Sequence, residues 1–314
     1  MKTLNKTETT CFGFYFITGV TSDNTGELFV TNILTCILNV LFSIITCVGN
    51  STILLAIKNT RDLHSPSYVL LGCLAFSDLL VGLICQPLFV GVKIAEFERS
   101  FTVYCWLRML QSRSGWTTAG VSFFTVAAVS YPPVIALHLH LLYSAFVTVS
   151  RVLQATLVIW ILSLILNVVL RFWMTAKWFF ILLVIFVVVF LVLTVSTVKI
   201  FQMVRRYRRK IERQTEAVSH PQSMTVNILK CRKSAVTVLY IYGLFMICYV
   251  PFFGTLITDM LHRYTIKIQL AYDFSGTVIF VNSFINPVVY CWRIREIKKA
   301  VKNILRGWGG GRNE

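Results

Sequence analysis

The chain has 314 residues, 56 % of them hydrophobic and 14 % charged, with a mean hydropathy of +0.71 and a net charge of +17. Soluble domains carry about 25 % charged residues, so an ordinary soluble fold is excluded. Ten Lys/Arg fall in 199–233 and seven in 293–312. That placement reads as membrane topology and attraction to anionic lipid, not as nucleic-acid binding.

Seven apolar stretches follow one another: 32–57, 67–92, 110–137, 152–170, 178–200, 235–260 and 268–292. A tilted helix needs roughly 20 residues to cross a bilayer, and each stretch fits that length. The expected fold is all-α, a seven-transmembrane helix bundle over 32–292. An N-terminal segment 1–31 precedes it, and a cytoplasmic tail 293–314 follows. An odd count puts the termini on opposite sides, and the basic loop between spans five and six marks the cytoplasm. The N-terminus is therefore expected outside, where Asn5-Lys6-Thr7 supplies a glycosylation sequon. Residues 11–20 are too short to span. A cleaved leader there stays open, although span one can serve as its own anchor.

Mixed-sign charges are expected in the outer loops: Lys93, Glu96, Glu98 and Arg99 in one, and Asp259, His262, Arg263, Lys267 and Asp273 in another. The second outer loop, 171–177, is short. The long cytoplasmic loop, 205–230, starts as a continuation of helix five. Of nine cysteines, most sit in spans and behave as small hydrophobes. Cys11 and Cys105 face the oxidising exterior, and the sequence leaves their pairing open. After span seven, Ile294, Ile297, Val301 and Leu305 recur among Arg293, Arg295, Lys298, Lys299 and Lys302. This spacing predicts a short basic amphipathic helix on the inner leaflet, with membrane lipid as its partner.

Asp78 sits in mid-span, where a lone carboxylate costs several kcal/mol and needs partners in the bundle interior. Asn50, Ser122, Asn282, Ser283 and Asn286 lie at similar depth. Spacing alone allows either a pocket for a small hard cation or a purely structural hydrogen-bond network. Two prolines interrupt later spans: Pro251, after Phe245 and Cys248-Tyr249, and Pro287 in Asn286-Pro287-Val288-Val289-Tyr290. Each deletes a backbone donor and kinks its helix, as a hinge or as a static bend. No nucleophile–base pairing or metal-ligand cluster is visible, so neither catalytic residues nor a metal site is expected.

Gly49-Asn50, Leu74-Ala75-Phe76-Ser77-Asp78, Trp160, Phe245-x-x-Cys248-Tyr249-x-Pro251 and Asn286-Pro287-x-x-Tyr290 occur in order on the spans. Together they resemble the rhodopsin-like (class A) G protein-coupled receptors across the whole chain. The resemblance implies a plasma-membrane receptor that is not an enzyme. It would bind a small-molecule, lipid or peptide ligand in its outer half and open its inner face to a heterotrimeric G protein. It implies no cofactor beyond a sodium ion, held by Asn50, Asp78, Ser122, Asn282, Ser283 and Asn286. It also implies a switch built from Phe245, Tyr249, Pro251, Pro287 and Tyr290.

The departures from the family pattern are equally specific. The Asp-Arg-Tyr that ends helix three in the family falls on Pro132-Pro133-Val134, and the tyrosine low on helix five falls on Thr197. These four positions face the G protein in the resemblance, and the two prolines are expected to disrupt the end of helix three. Cys231 replaces the acidic partner on helix six, Tyr249 the tryptophan and Val189 the helix-five proline. The second outer loop has no cysteine, so the usual disulfide to helix three cannot form. This pattern is similar to the melanocortin, lysolipid, cannabinoid and adenosine group. Its ligand residues do not carry over: Leu88, Arg108 and Ser112 replace the melanocortin acidic residues, and Leu256 the adenosine asparagine. Gly115 stands where amine receptors place an aspartate, and Phe280 where opsins carry the retinal lysine, so the resemblance disfavours amine-receptor and retinal readings. The alternative is a receptor-like protein with lost or weakened coupling: a decoy, dimer partner or decayed paralogue. A local frameshift within 97–133 would also produce these departures. A transporter would show internal repeats, and none is present.

Overall fold

The computed structural model describes residues 8–11, 14–17, 25–138, 148–169, 222–262 and 265–309, with further positions between 180 and 205. Helix one runs Thr25–Asn59, starting seven residues before the expected span. A 3-10 turn, Arg61–Leu63, leads to Pro66, which opens helix two at a position where its missing N–H costs nothing. Helix two comprises Pro66–Leu80, a π-turn Val81–Cys85, and Gln86–Phe97. The π-turn precedes Pro87, whose lost donor is absorbed by the locally widened helix.

At that turn helix two touches helix one. The Ser43 hydroxyl donates to the Gly82 carbonyl at 2.7 Å, and a Cβ at Gly82 would meet Cys47 Sγ at 2.8 Å. Only glycine lets the two backbones come this close.

Helix three runs Phe101–His138, beginning nine residues earlier than expected. It also continues through Pro132 and Pro133, so the expected break does not occur. A proline pair removes two donors, while the turns before and after keep theirs. The side chains of Pro132, Pro133, Val134 and Cys231 lie outside the described residues, as do Asn5 and Thr197. Helix four, Val149–Leu164, starts at Thr148, whose hydroxyl accepts from the Arg151 N–H, and ends in a π-turn, Ile165–Val169. The described positions of 180–198 are helical and belong to span five. Helix six, Gln222–Leu261, and helix seven, Ile266–Arg293, enclose Pro251 and Pro287 without breaking. Thr265 caps helix seven by accepting from the Ile268 N–H.

Helix eight, Arg295–Gly309, is longer than the basic stretch that announces it. Ile297 and Ala300 are buried in the main core cluster beside Ile53 and Leu74. Ahead of the bundle, strands β1 (Glu8–Cys11) and β2 (Phe14–Ile17) pair antiparallel, Glu8 opposite Ile17. Part of the stretch that the sequence left open as a leader is therefore extended.

Large apolar side chains face outward along the helices, among them Phe29, Ile37, Ile44, Val158 and Ile247. Five described helices are long and apolar enough to cross a membrane: Leu28–Asn59, Pro66–Phe97, Val149–Asn167, Tyr240–Leu261 and Ile266–Arg293. Such an apolar exterior is stable only in lipid. The core lies between the helices, where Phe245, Tyr290 and Leu74 are fully buried.

Candidate functional site: a buried polar centre beneath an aromatic cavity

Asp78 and Asn286 meet at the centre of the bundle. Asn286 Nδ2 donates to Asp78 Oδ2 at 2.7 Å, with both residues buried. Asn50 Nδ2 donates to the carbonyls of Thr46 at 2.9 Å and Ser283 at 3.1 Å. The second bond has a clear cause. Pro287 has no N–H, so the carbonyl four residues earlier, that of Ser283, loses its helical donor. Asn50 of helix one supplies one in its place.

The Ser122 hydroxyl lies 3.1 Å from that of Ser77, so Ser122 reaches the centre's edge through the neighbour of Asp78. Asn282 is buried at the same depth, without a hydrogen bond to the others among the described residues. Among the described residues, Asp78 Oδ1 and the side-chain oxygens of Asn50, Asn282 and Asn286 are buried without a close hydrogen bond, and the Ser283 side chain stands near the Asp78 carboxylate. Four such oxygens suit a small hard cation. Among the described residues no cluster of His, Cys, Asp and Glu could hold a metal.

Above this centre the proposed switch residues stack. Phe245 lies 4.0 Å from Tyr249, nearly parallel at 11°, and 5.3 Å from Phe123. Phe186 of span five closes the stack, 5.4 Å from Phe123 and 3.6 Å from Phe253. One turn away, Thr194 and the Tyr242 hydroxyl are 2.6 Å apart and tie span five to helix six. Tyr290 belongs to the same core cluster as Phe245, and its hydroxyl is buried with no hydrogen-bond partner among the described residues.

A cavity of about 270 Å³ opens on this stack. Its walls carry Trp116, Phe123, Phe245, Tyr249, Phe252 and Tyr272, and Gly115 leaves open space where a side chain would stand. Arg108, Asp259 and Asp273 supply its charges. An enclosure with aromatic walls and a few polar groups is the usual form of a ligand site.

A charged cluster at the same end was not expected. Lys93 Nζ lies 2.6 Å from Asp273 Oδ2 and 2.9 Å from Glu96 Oε2, and the Gln269 amide donates to Glu96. Lys93 is only 4 % exposed and Asp273 3 %. They lie on helices and not in outer loops, as do Glu96, Asp259 and Lys267, because helix two extends to Phe97, helix six to Leu261, and helix seven begins at Ile266. The i,i+3 pair Lys93/Glu96 and the i,i+4 pair Gln269/Asp273 were the available signal, since both spacings put side chains on one helix face. Asp259 was likewise missed as a cavity residue, because nothing local marks it, whereas Arg108 lines the cavity at a position where the resemblance puts a melanocortin ligand residue. Cys105 is disulfide-bonded, whereas Cys36, Cys47, Cys73, Cys85, Cys248 and Cys291 are free.

A bundle with a lipid-facing exterior, a buried Asp–Asn centre and an aromatic cavity above it has the construction of a seven-transmembrane receptor. The family model described as 7 transmembrane receptor (rhodopsin family) matches residues 49–179 and 173–290, and the chain belongs to that family. Human melanocortin receptor 3 is 24 % identical over 276 residues, covering 85 % of this chain and 84 % of that protein. Mouse sphingosine 1-phosphate receptor 2 is 28 % identical over 286 residues, covering 84 % and 74 %. The likeness to the melanocortin and lysolipid group thus extends beyond loop pattern. The chain is a multi-pass membrane protein and a class A G protein-coupled receptor, not an enzyme.

Proposed function

We propose that this receptor resides in the plasma membrane with its N-terminus outside and binds a small-molecule, lipid or peptide ligand in the aromatic cavity. It passes the signal to a heterotrimeric G protein at the helix-eight end. One observation carries the reading: Phe245 and Tyr249 form the cavity wall and are also part of the core that contains Tyr290. A ligand pressing on Tyr249 therefore displaces the same stack that holds helices three, five and six together. Pro251 leaves the Ile247 carbonyl without its helical donor, which gives helix six a place to bend. Phe245, Tyr249, Pro251, Pro287 and Tyr290 act together as the switch.

The Asp78 centre holds a sodium ion in the resting receptor. Asp78, Asn50, Asn282, Ser283 and Asn286 surround it, and Ser122 frames its edge through Ser77. The four oxygens without a close hydrogen bond among the described residues support this role. Sodium supplies positive charge to an otherwise uncompensated carboxylate, and its loss frees Asn286 and Tyr290 to rearrange.

The inner ends of helices three, five and six form the G protein seat, with Pro132, Pro133, Val134 and Thr197 facing it. Continuity of helix three to His138 supports that assignment, because it leaves a rod rather than a frayed end. The test is nucleotide exchange on purified Gα subunits by receptor-bearing membranes. Wild type should stimulate exchange on at least one Gα class, and the milder Phe245→Leu should lower exchange per receptor counted at the surface. An N-terminal epitope should be stained on intact cells. Exchange absent for every Gα, with the receptor at the surface, overturns the coupling assignment.

A further inference from the structure

Among the described charged residues of the cavity wall and the Lys93 cluster, one carboxylate stands apart from the cations. Lys93 pairs with Glu96 and Asp273, and Arg108 acts electrostatically on Asp273 while donating to Gln111 Oε1 at 2.8 Å. Two cations thus stand against two carboxylates. Asp259, on the last turns of helix six, is the third. It accepts a hydrogen bond from the Tyr272 hydroxyl at 3.0 Å and has no cationic partner among the described residues. Both Asp259 and Tyr272 line the cavity. Beside them Phe252 lies 5.7 Å from the Tyr272 ring and 5.6 Å from Trp116.

A half-buried carboxylate held by one hydroxyl and ringed by aromatic faces is a seat for a cation. The carboxylate supplies the charge and the faces supply cation–π attraction. We infer that the ligand of this receptor carries a protonated amine or guanidinium on an apolar body, and that Asp259 with Tyr272 holds the cation. The inference rests on the cavity being the ligand site and adds the ligand's charge. Gly115 leaves helix three without a carboxylate, so the cation sits at the mouth and the apolar body extends over Gly115 towards Trp116 and Phe245. An anionic ligand would meet two cations already engaged.

The test uses purified, detergent-solubilised receptor and three probes of one shape: 4-phenylbutylamine, 4-phenylbutan-1-ol and 4-phenylbutanoate. Thermal stabilisation is titrated against wild type, Asp259→Asn, Tyr272→Phe and the cavity-filling Gly115→Trp. The amine should stabilise wild type at least tenfold more potently than the other two. Asp259→Asn should remove that advantage, Tyr272→Phe should reduce it severalfold, and Gly115→Trp should abolish all three responses. Binding of the carboxylate as tight as the amine, or an amine response unmoved by Asp259→Asn, overturns the cation seat. If the alcohol then still stabilises wild type but not Gly115→Trp, the cavity stands as a ligand site and only the cation seat falls. Equal responses in Gly115→Trp and wild type, or no response to any probe, overturn both.

The disulfide at Cys105 carries a second, independent inference. With six cysteines free, Cys11 and Cys231 are the remaining partners. Cys231 lies thirty residues before the cavity end of helix six, a rise of roughly 45 Å along the axis. Cys105 lies one turn into helix three at the cavity end, packed with Val92 and Ala95. We propose that Cys105 pairs with Cys11, which staples the β1–β2 hairpin beside Tyr104 at the cavity mouth. Non-reducing proteolysis and mass spectrometry should recover one peptide joining Cys11 to Cys105. Recovery of a Cys105–Cys231 link, or of alkylated Cys11 thiol in the unreduced protein, overturns it.

Discussion

Gly49 of helix one lies directly against Pro287 of helix seven: a Cβ added at position 49 would sit 3.3 Å from Pro287 Cγ. The adjacent residue, Asn50, bonds the carbonyl that this same proline leaves without a donor. Helix one thus accommodates the proline's ring with one residue and its missing hydrogen bond with the next. Gly49→Ala forces a shift of a few tenths of an ångström, and Gly49→Val a larger one. Overpacking a close contact costs about 1–3 kcal/mol, so the valine variant should show a lower Tm and less surface receptor than the alanine variant. Equal Tm values for wild type and Gly49→Val would show that the contact does not constrain helix seven.

The Asp78 centre predicts a cation-specific effect. Purified receptor should gain thermal stability in NaCl relative to choline chloride at equal ionic strength. Asp78→Asn should lose the difference, because the neutral amide removes the charge while keeping the shape. A sodium effect of full size in Asp78→Asn would place the ion elsewhere.

The Lys93 cluster predicts a strong dependence on its single cation. Lys93→Met takes the closest cation from buried Asp273 and part-buried Glu96, and removing one partner of a buried pair typically costs about 3–5 kcal/mol. A triple variant, Lys93→Met with Glu96→Gln and Asp273→Asn, leaves no charge to strand and should recover most of the lost Tm. Failure of the triple variant to recover would show that Lys93 acts through packing and not charge.

At the opposite end, restoring Asp, Arg and Tyr at 132–134 should raise ligand-independent nucleotide exchange several-fold over wild type. The arginine returns a cation to a helix that already runs continuously to His138. Unchanged exchange would mean that the Pro132-Pro133-Val134 end is already fully competent.

Helix eight should detach when its buried face is charged. Ile297 is fully buried in the core cluster with Ile53 and Leu74, so Ile297→Asp should cut surface expression sharply. Lys298→Asp, on the same helix but exposed, should weaken only lipid association. Similar loss from both would assign the helix's role to its charge alone.

The membrane-spanning helices were legible because each is a local composition signal. Their ends were less so. Helix three begins at Phe101 although Arg108 and Arg113 dilute its first turns, because bundle packing and not hydropathy decides where it starts. The proline pair at 132–133 reads locally as a break, but turns before and after it hold the helix together. Asp78 is marked by its cost in lipid and Asn286 by its similar depth beside Pro287, but which of the polar residues at that depth meets Asp78 is decided by packing.

The sequence by itself determined the bundle, its buried carboxylate and its proline-bearing helices, since a bilayer penalises every unpaired polar group wherever it falls. Only the tertiary structure decided which partners satisfy them. Lys93 and Asp273 stand 180 residues apart and meet because two helix ends converge. Asp259 stands without a cation among the described residues for the same reason: pairing of charge depends on the arrangement of the helices, which no local stretch of sequence contains.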